Sequence, residues 1–194
     1  STDVALAQTY FDQGLRLAWG FYFPESIASY QEASRLDPTH PMPYWGIAHA
    51  AGPNPNSRYA QMPDDPQGAG LAAIEAALER IDRATPMEAA LINALYVFYD
   101  AKSIPDPRER DRAYLAEMRK LNKQYPNDPD VAALYAGSFM SIRRWDYWDK
   151  SGEAKGETLA IAEALEHVIT TGDPHPGVYP VSYTHLTLPT SHCV

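Results

Sequence analysis

An all-α superhelix of about four irregular helix pairs is the fold class this sequence predicts. Three observations lead there. Apolar residues recur at helical spacing along the chain, and proline and glycine sit between these stripes rather than inside them. A pattern of a small or apolar residue, an aromatic or apolar one, a further small or apolar one and then proline also returns several times.

The boundaries come first. Thr85-Pro86-Met87-Glu88 reads as a capping box with proline at the first helical position, where its missing N–H costs nothing. Asp65-Pro66, Asp106-Pro107 and Asp128-Pro129 repeat an Asp cap followed by Pro. These marks divide the chain into about eight helices. Between them Leu71, Ile74, Leu78 and Ile81 form one stripe, as do Leu91, Leu95 and Phe98. Tyr114, Met118, Leu121 and Tyr125 form another, and Leu159, Ala162, Leu165 and Val168 a last one. Period-two alternation is confined to the extreme C-terminal tail, so no sheet is expected.

Ser26, Tyr30, Ala33 and Pro38 spell the second helix of a tetratricopeptide unit. Upstream stand Tyr10 and Gly14, with Gly14 where the first helix lets its partner come close. Ile74, Leu78, Ile81 and Pro86 repeat the pattern, then Tyr114, Met118, Leu121 and Pro126, and more loosely Ile161, Leu165, Val168 and Pro174. Ala48 and Ala136 take the small-residue place of later first helices, and Tyr96 departs from it. The prolines are spaced wider than a regular repeat of ~34 residues. The excess falls in loops at Gly52 to Gln67, Ser103 to Asp106 and Arg143 to Lys155.

The segments TYFDQGLRLAWGFYFPESIASYQEASRLDP, PMPYWGIAHAAGPNPN and WDYWDKSG, with His175-Pro176-Gly177, resemble a family of bacterial tetratricopeptide repeat (TPR) proteins, many of them exported. The resemblance runs from about Thr9 to Gly177. It implies a helical repeat solenoid and no established activity. Family members continue past His-Pro-Gly with further histidines, so it also implies a metal site involving His175 in an intact protein. Val181 to Val194 instead resembles a translated sequencing adaptor, so residues 1–180 are expected to be a repeat-domain fragment and 181–194 a non-native tail.

Composition narrows the partners. The chain has 194 residues, 45% hydrophobic and 21% charged, which allows a buried core. A formal net charge of −9 argues against nucleic acid or an anionic membrane as partner. Arg108, Arg110, Arg112, Arg119, Lys120 and Lys123 are interleaved with acids and read as a solvated helix face. No apolar run reaches the ~18 residues of a membrane span. Cys193, in the tail, is the single cysteine, so disulfides and thiolate metal sites are not expected. The compartment, exported or cytoplasmic, stays open, as does the presence of a leader before Ser1.

Candidate site residues follow from chemistry. His40 and His49 are nine positions apart, about half a helical turn out of phase, so one helix cannot aim both at one ion. His49 reads as packed or at the surface, and His167 as exposed. Asn54 and Asn56 in the GPN loop can bond their own backbone or contact a ligand overhanging a groove. Trp145, Asp146, Tyr147 and Trp148 offer an aromatic cage around an acid, or a loop pinned by its rings. Tyr44 and Trp45, with Asn93, are expected on the inner face. A carboxylate clamp is not expected, because Phe11, Leu15, Met42, Gly46, Asn93 and Val97 occupy the positions where its basic residues would stand. Phosphate loops, zinc-binding helices and nucleophile elbows are missing from the sequence.

The expected function is therefore a scaffold binding a peptide or partner protein in a concave groove. The alternative is the N-terminal part of a histidine-dependent metal protein or enzyme. No cofactor is expected in the fragment, and a divalent metal is the one implied for the intact protein. A stack ending after the eighth helix is expected to leave Leu159, Leu165 and Val168 partly uncovered, and so to be marginally stable or to self-associate.

Overall fold

The computed structural model describes residues 2–53, 64–172 and 174–178. Among them the chain is all-α: α1 (Ala5–Trp19), α2 (Phe23–Leu36), α3 (Met42–Ala51), α4 (Pro66–Leu78), α5 (Pro86–Tyr99), α6 (Pro107–Gln124), α7 (Pro129–Arg143) and α8 (Thr158–Thr171). The only strand-like pairing among the described residues is an isolated bridge between Trp148 and Ala154. None of the described helices is long and apolar enough to cross a membrane.

The predicted caps set the helix starts. Asp65 accepts from the Gly68 N–H, Asp106 from Arg108 and Asp128 from Val131. Thr85 and Glu88 close both bonds of the capping box, at 3.3 and 2.8 Å. Each pairing satisfies amides that a helix start leaves without partners. The predicted stripes hold with two shifts. Helix α4 stops at Leu78, so Ile81 lies half-buried on a separate 3₁₀ turn, Ile81–Arg83. In α8 the buried line runs through Thr158, Ile161, Leu165 and Val168, while Leu159 is 57% exposed. The expected uncovered face is therefore limited to Leu159, because Leu165 and Val168 lie on the side turned into the core.

Consecutive helices pack against one another throughout, and α3 also touches α1 and α5. Helices α1, α3 and α5 thus share a layer, with α3 enclosed between the other two. All its residues but Tyr44 and Ile47 are buried, which suits a segment apolar on every side.

Tyr30 joins the layers. Its ring, fully buried on α2, passes between Gly14 of α1 and Gly46 of α3. A Cβ at Gly14 would lie 2.8 Å from this ring, and one at Gly46 2.5 Å, so only glycine leaves room for it at both places. Ser26 Oγ donates to the Gly14 carbonyl at 2.7 Å and fixes the same crossing. Tyr99 bridges similarly, donating to the Ala48 carbonyl at 2.6 Å.

Three side chains tie the second half together. Arg119 of α6 forms a two-pronged ion pair with Glu157, which precedes α8, and the Tyr135 hydroxyl of α7 donates to the same carboxylate. The basic cluster on α6 departs from the fully solvated face that the charge pattern predicts. Arg110 is buried, and its guanidinium donates to the carbonyls of Phe98, Ile104 and Pro105. It satisfies the loop that joins α5 to α6, and the cation's burial is offset by three acceptors.

Candidate functional site

The inner layer carries one cluster of polar and aromatic groups drawn from both ends of the chain. Trp19 ends α1, and Trp45 and His49 stand one turn apart on α3. The α3 rings stack, with centroids 5.2 Å apart and planes 4° from parallel. The Trp19 ring meets His49 at 6.0 Å and His175 edge-on at 5.7 Å. Asp130, in the first turn of α7, accepts from Trp19 Nε1–H at 3.2 Å through Oδ1. The same oxygen lies 3.0 Å from His175 Nε2. A carboxylate in a helix's first turn is favoured by the helix dipole and suits this double acceptor role.

The His175 tautomer follows from its neighbours. The Gly177 N–H points at Nδ1, 3.2 Å away, which must therefore accept. Nε2 then carries the proton and donates to Asp130. Gly177 lies against the Trp19 indole so closely that a Cβ would come within 2.6 Å of it, and Val178 is buried in the main core beside it. Residues 174–178 thus form a turn seated on α1 and α7.

The cluster shifts the chemistry of its members. Burial lowers His49 from its ordinary 6.5 to about 4, against the pull of the Asp130 charge, so the ring is neutral at pH 7. Burial likewise pushes the Tyr30 hydroxyl far above the usual tyrosine range, with Asp130 and Asp12 adding to the effect. Tyr30 Oη and Trp45 Nε1 are buried and make no hydrogen bond among the described residues.

The structure brings Trp45, His49 and His175 together and separates the other candidates from them. Tyr44, one residue from Trp45, points to another side. Arg80 lies over its ring at 4.5 Å, and its hydroxyl donates to the Pro38 carbonyl at 3.2 Å. Asn93 is exposed and bonds the Ala89 carbonyl one turn back. Gly46 and Met42 are buried, Gly46 against Tyr30, so on α3 the inner face is set by Trp45 and His49. His167 is exposed, 2.7 Å from Asn127. Asn54, Asn56 and the tail 181–194 lie outside the described residues.

The aromatic run after α7 does not gather around its acid. Tyr147 is buried against Phe139 at 6.0 Å, Trp148 is half-buried and Trp145 is 60% exposed. Asp146 pairs instead with Lys155 and, at 3.6 Å, with Arg143. Tyr147 within the core and Trp148 packed against it pin the loop.

Sequence reasoning missed Trp19 and Asp130. Asp130 reads as one more first-turn acid behind the Asp128 cap, and Trp19 as the end of an amphipathic stripe. Neither residue carries a local signal of a contact made 111 positions away. Among the described residues, no three or more His, Cys, Asp or Glu side chains gather in a way that could hold a metal ion. Comparison with family models, with curated proteins and with solved structures gives no match.

Proposed function

We propose that this chain is a tetratricopeptide-type scaffold, of the bacterial TPR kind its motifs resemble, whose inner layer binds a segment of polypeptide. The observation that supports this reading is the turn at residues 174–178. A short irregular segment sits on the inner layer, held by Asp130, the Trp19 ring and burial of Val178. These are the means by which a helical scaffold holds a peptide: an aromatic anchor, a charged acceptor and an apolar pocket. A metal reading would require His175 to give up one of the two bonds that now occupy its ring nitrogens.

The test is selection of displayed peptides on the immobilised full chain, followed by titration of the recovered sequences. The expected result is a set of binders that lose about tenfold or more in affinity on Trp19→Ala, as for an anchoring aromatic. A selection that returns nothing, or binders indifferent to Trp19, overturns the reading.

A further inference from the structure

The seat on α1 and α7 has a chemistry of its own, and the turn that fills it shows what that chemistry selects. Three contacts define it. Asp130 Oδ1 accepts a hydrogen bond from His175 Nε2 and another from Trp19 Nε1–H, so the carboxylate orients the indole and reads a donor. The Trp19 ring lies flat enough on Gly177 that a side chain there would collide with it at 2.6 Å. Val178, 1% exposed, fills the apolar end. Pro176 is exposed and stiffens the turn between the two read positions, which lowers the entropy lost on docking.

The seat's residues come from α1 and α7, whereas α8, which leads into the turn, packs chiefly on α7. The hydrogen bond to Asp130 and the contact with the Trp19 ring are made by the turn's own residues, not by α8. We propose that this seat is a recognition site for His-Pro-Gly turns followed by a small apolar residue, able to take such a segment from another polypeptide when the chain's own copy is displaced. This rests on the scaffold reading above and names its ligand class. The internal copy is tethered, so its effective concentration is on the order of millimolar and masks the seat from weak ligands.

The experiment uses the full chain carrying Gly177→Val, which the Trp19 ring will not admit in the seat. The probe is a fluorescein-labelled, amidated peptide of sequence GDPHPGVY, followed by fluorescence anisotropy. The expected result is binding at least tenfold tighter to Gly177→Val than to the unmodified chain. Replacing the probe's glycine by valine, or adding Asp130→Ala to the protein, should each weaken that binding at least tenfold. Equal binding of probe and valine control, binding that survives Asp130→Ala, or no binding to a Gly177→Val chain with native circular dichroism overturns the proposal. If Gly177→Val does not fold, His175→Ala replaces it. That change removes the internal donor but keeps Gly177, and the same two losses are required of it. Selected peptides that need Trp19 but lack His-Pro-Gly would sink this inference and leave the scaffold reading standing. The absence of any peptide ligand would sink both.

Discussion

Tyr30 reaches from the outer layer to the inner one only because two glycines face each other across its ring. The sequence pattern placed Gly14 and Tyr30 in register but gave Gly46 no such role, because that glycine stands two residues before the alanine that fills the small-residue place. The consequence is testable at single residues. Gly14→Ala and Gly46→Ala should each destabilise the fold by about 1–3 kcal/mol through overpacking, read from urea midpoints. Because both press on one ring, the double variant should cost less than the sum of the two. A second residue carries the opposite expectation. Phe21 follows α1 with φ 64°, a left-handed conformation that favours glycine, and its ring is 40% exposed. Phe21→Gly should therefore raise the melting temperature, by an amount equivalent to about 1 kcal/mol less its lost edge contact with Phe23.

At the level of whole elements, the helices were legible and their attachments were not. Proline after Asp or Thr gave the starts of α4, α5, α6 and α7, because capping is decided within one turn of chain. The anchoring of α8 depends on Glu157 meeting Arg119 and Tyr135, 38 and 22 positions away, which no local pattern announces. The same holds for Arg110, which local charge pattern puts in solvent and tertiary structure puts under three carbonyls. The Arg119 guanidinium, followed by the Tyr135 hydroxyl, holds the Glu157 carboxyl below its usual range. A carboxyl lowered on folding stabilises above its ordinary titration range, and this contribution fades as the pH falls through the lowered value. Glu157→Gln should cost about 1–2 kcal/mol at pH 7 and progressively less in acid below pH ~4.5, measured by urea unfolding across pH. A constant cost across that range would place the role of Glu157 in shape rather than charge.

Across the whole molecule, the inner cluster makes the first helix and the last described turn parts of one structure. A plain helical stack couples each unit only to its neighbours and can fray from either end. Here Trp19 meets Asp130 and His175 directly, so α1 should not unfold ahead of α7. His49 supplies the test because it lies in this cluster and is neutral there. The unfolded chain binds a proton at this ring near its ordinary 6.5, and the folded chain only near 4. Above about pH 6.5 neither form is protonated and its contribution is constant. Between 6.5 and 4 the unfolded state binds the extra proton, so stability falls as the pH falls, and below 4 the loss levels off. The drop should be about 2–3 kcal/mol over that window, most of it at pH values above those at which Glu157 begins to matter. Urea midpoints at half-unit steps from pH 7.5 to 4 should show the slope, and His49→Phe, which keeps a ring to stack on Trp45, should flatten it. If the cluster binds the two ends into one cooperative unit, tryptophan fluorescence and far-ultraviolet circular dichroism must trace the same midpoint at every pH. Separation of the two signals in acid would mean that α1 detaches before the rest of the stack and that the cluster does not hold the molecule together.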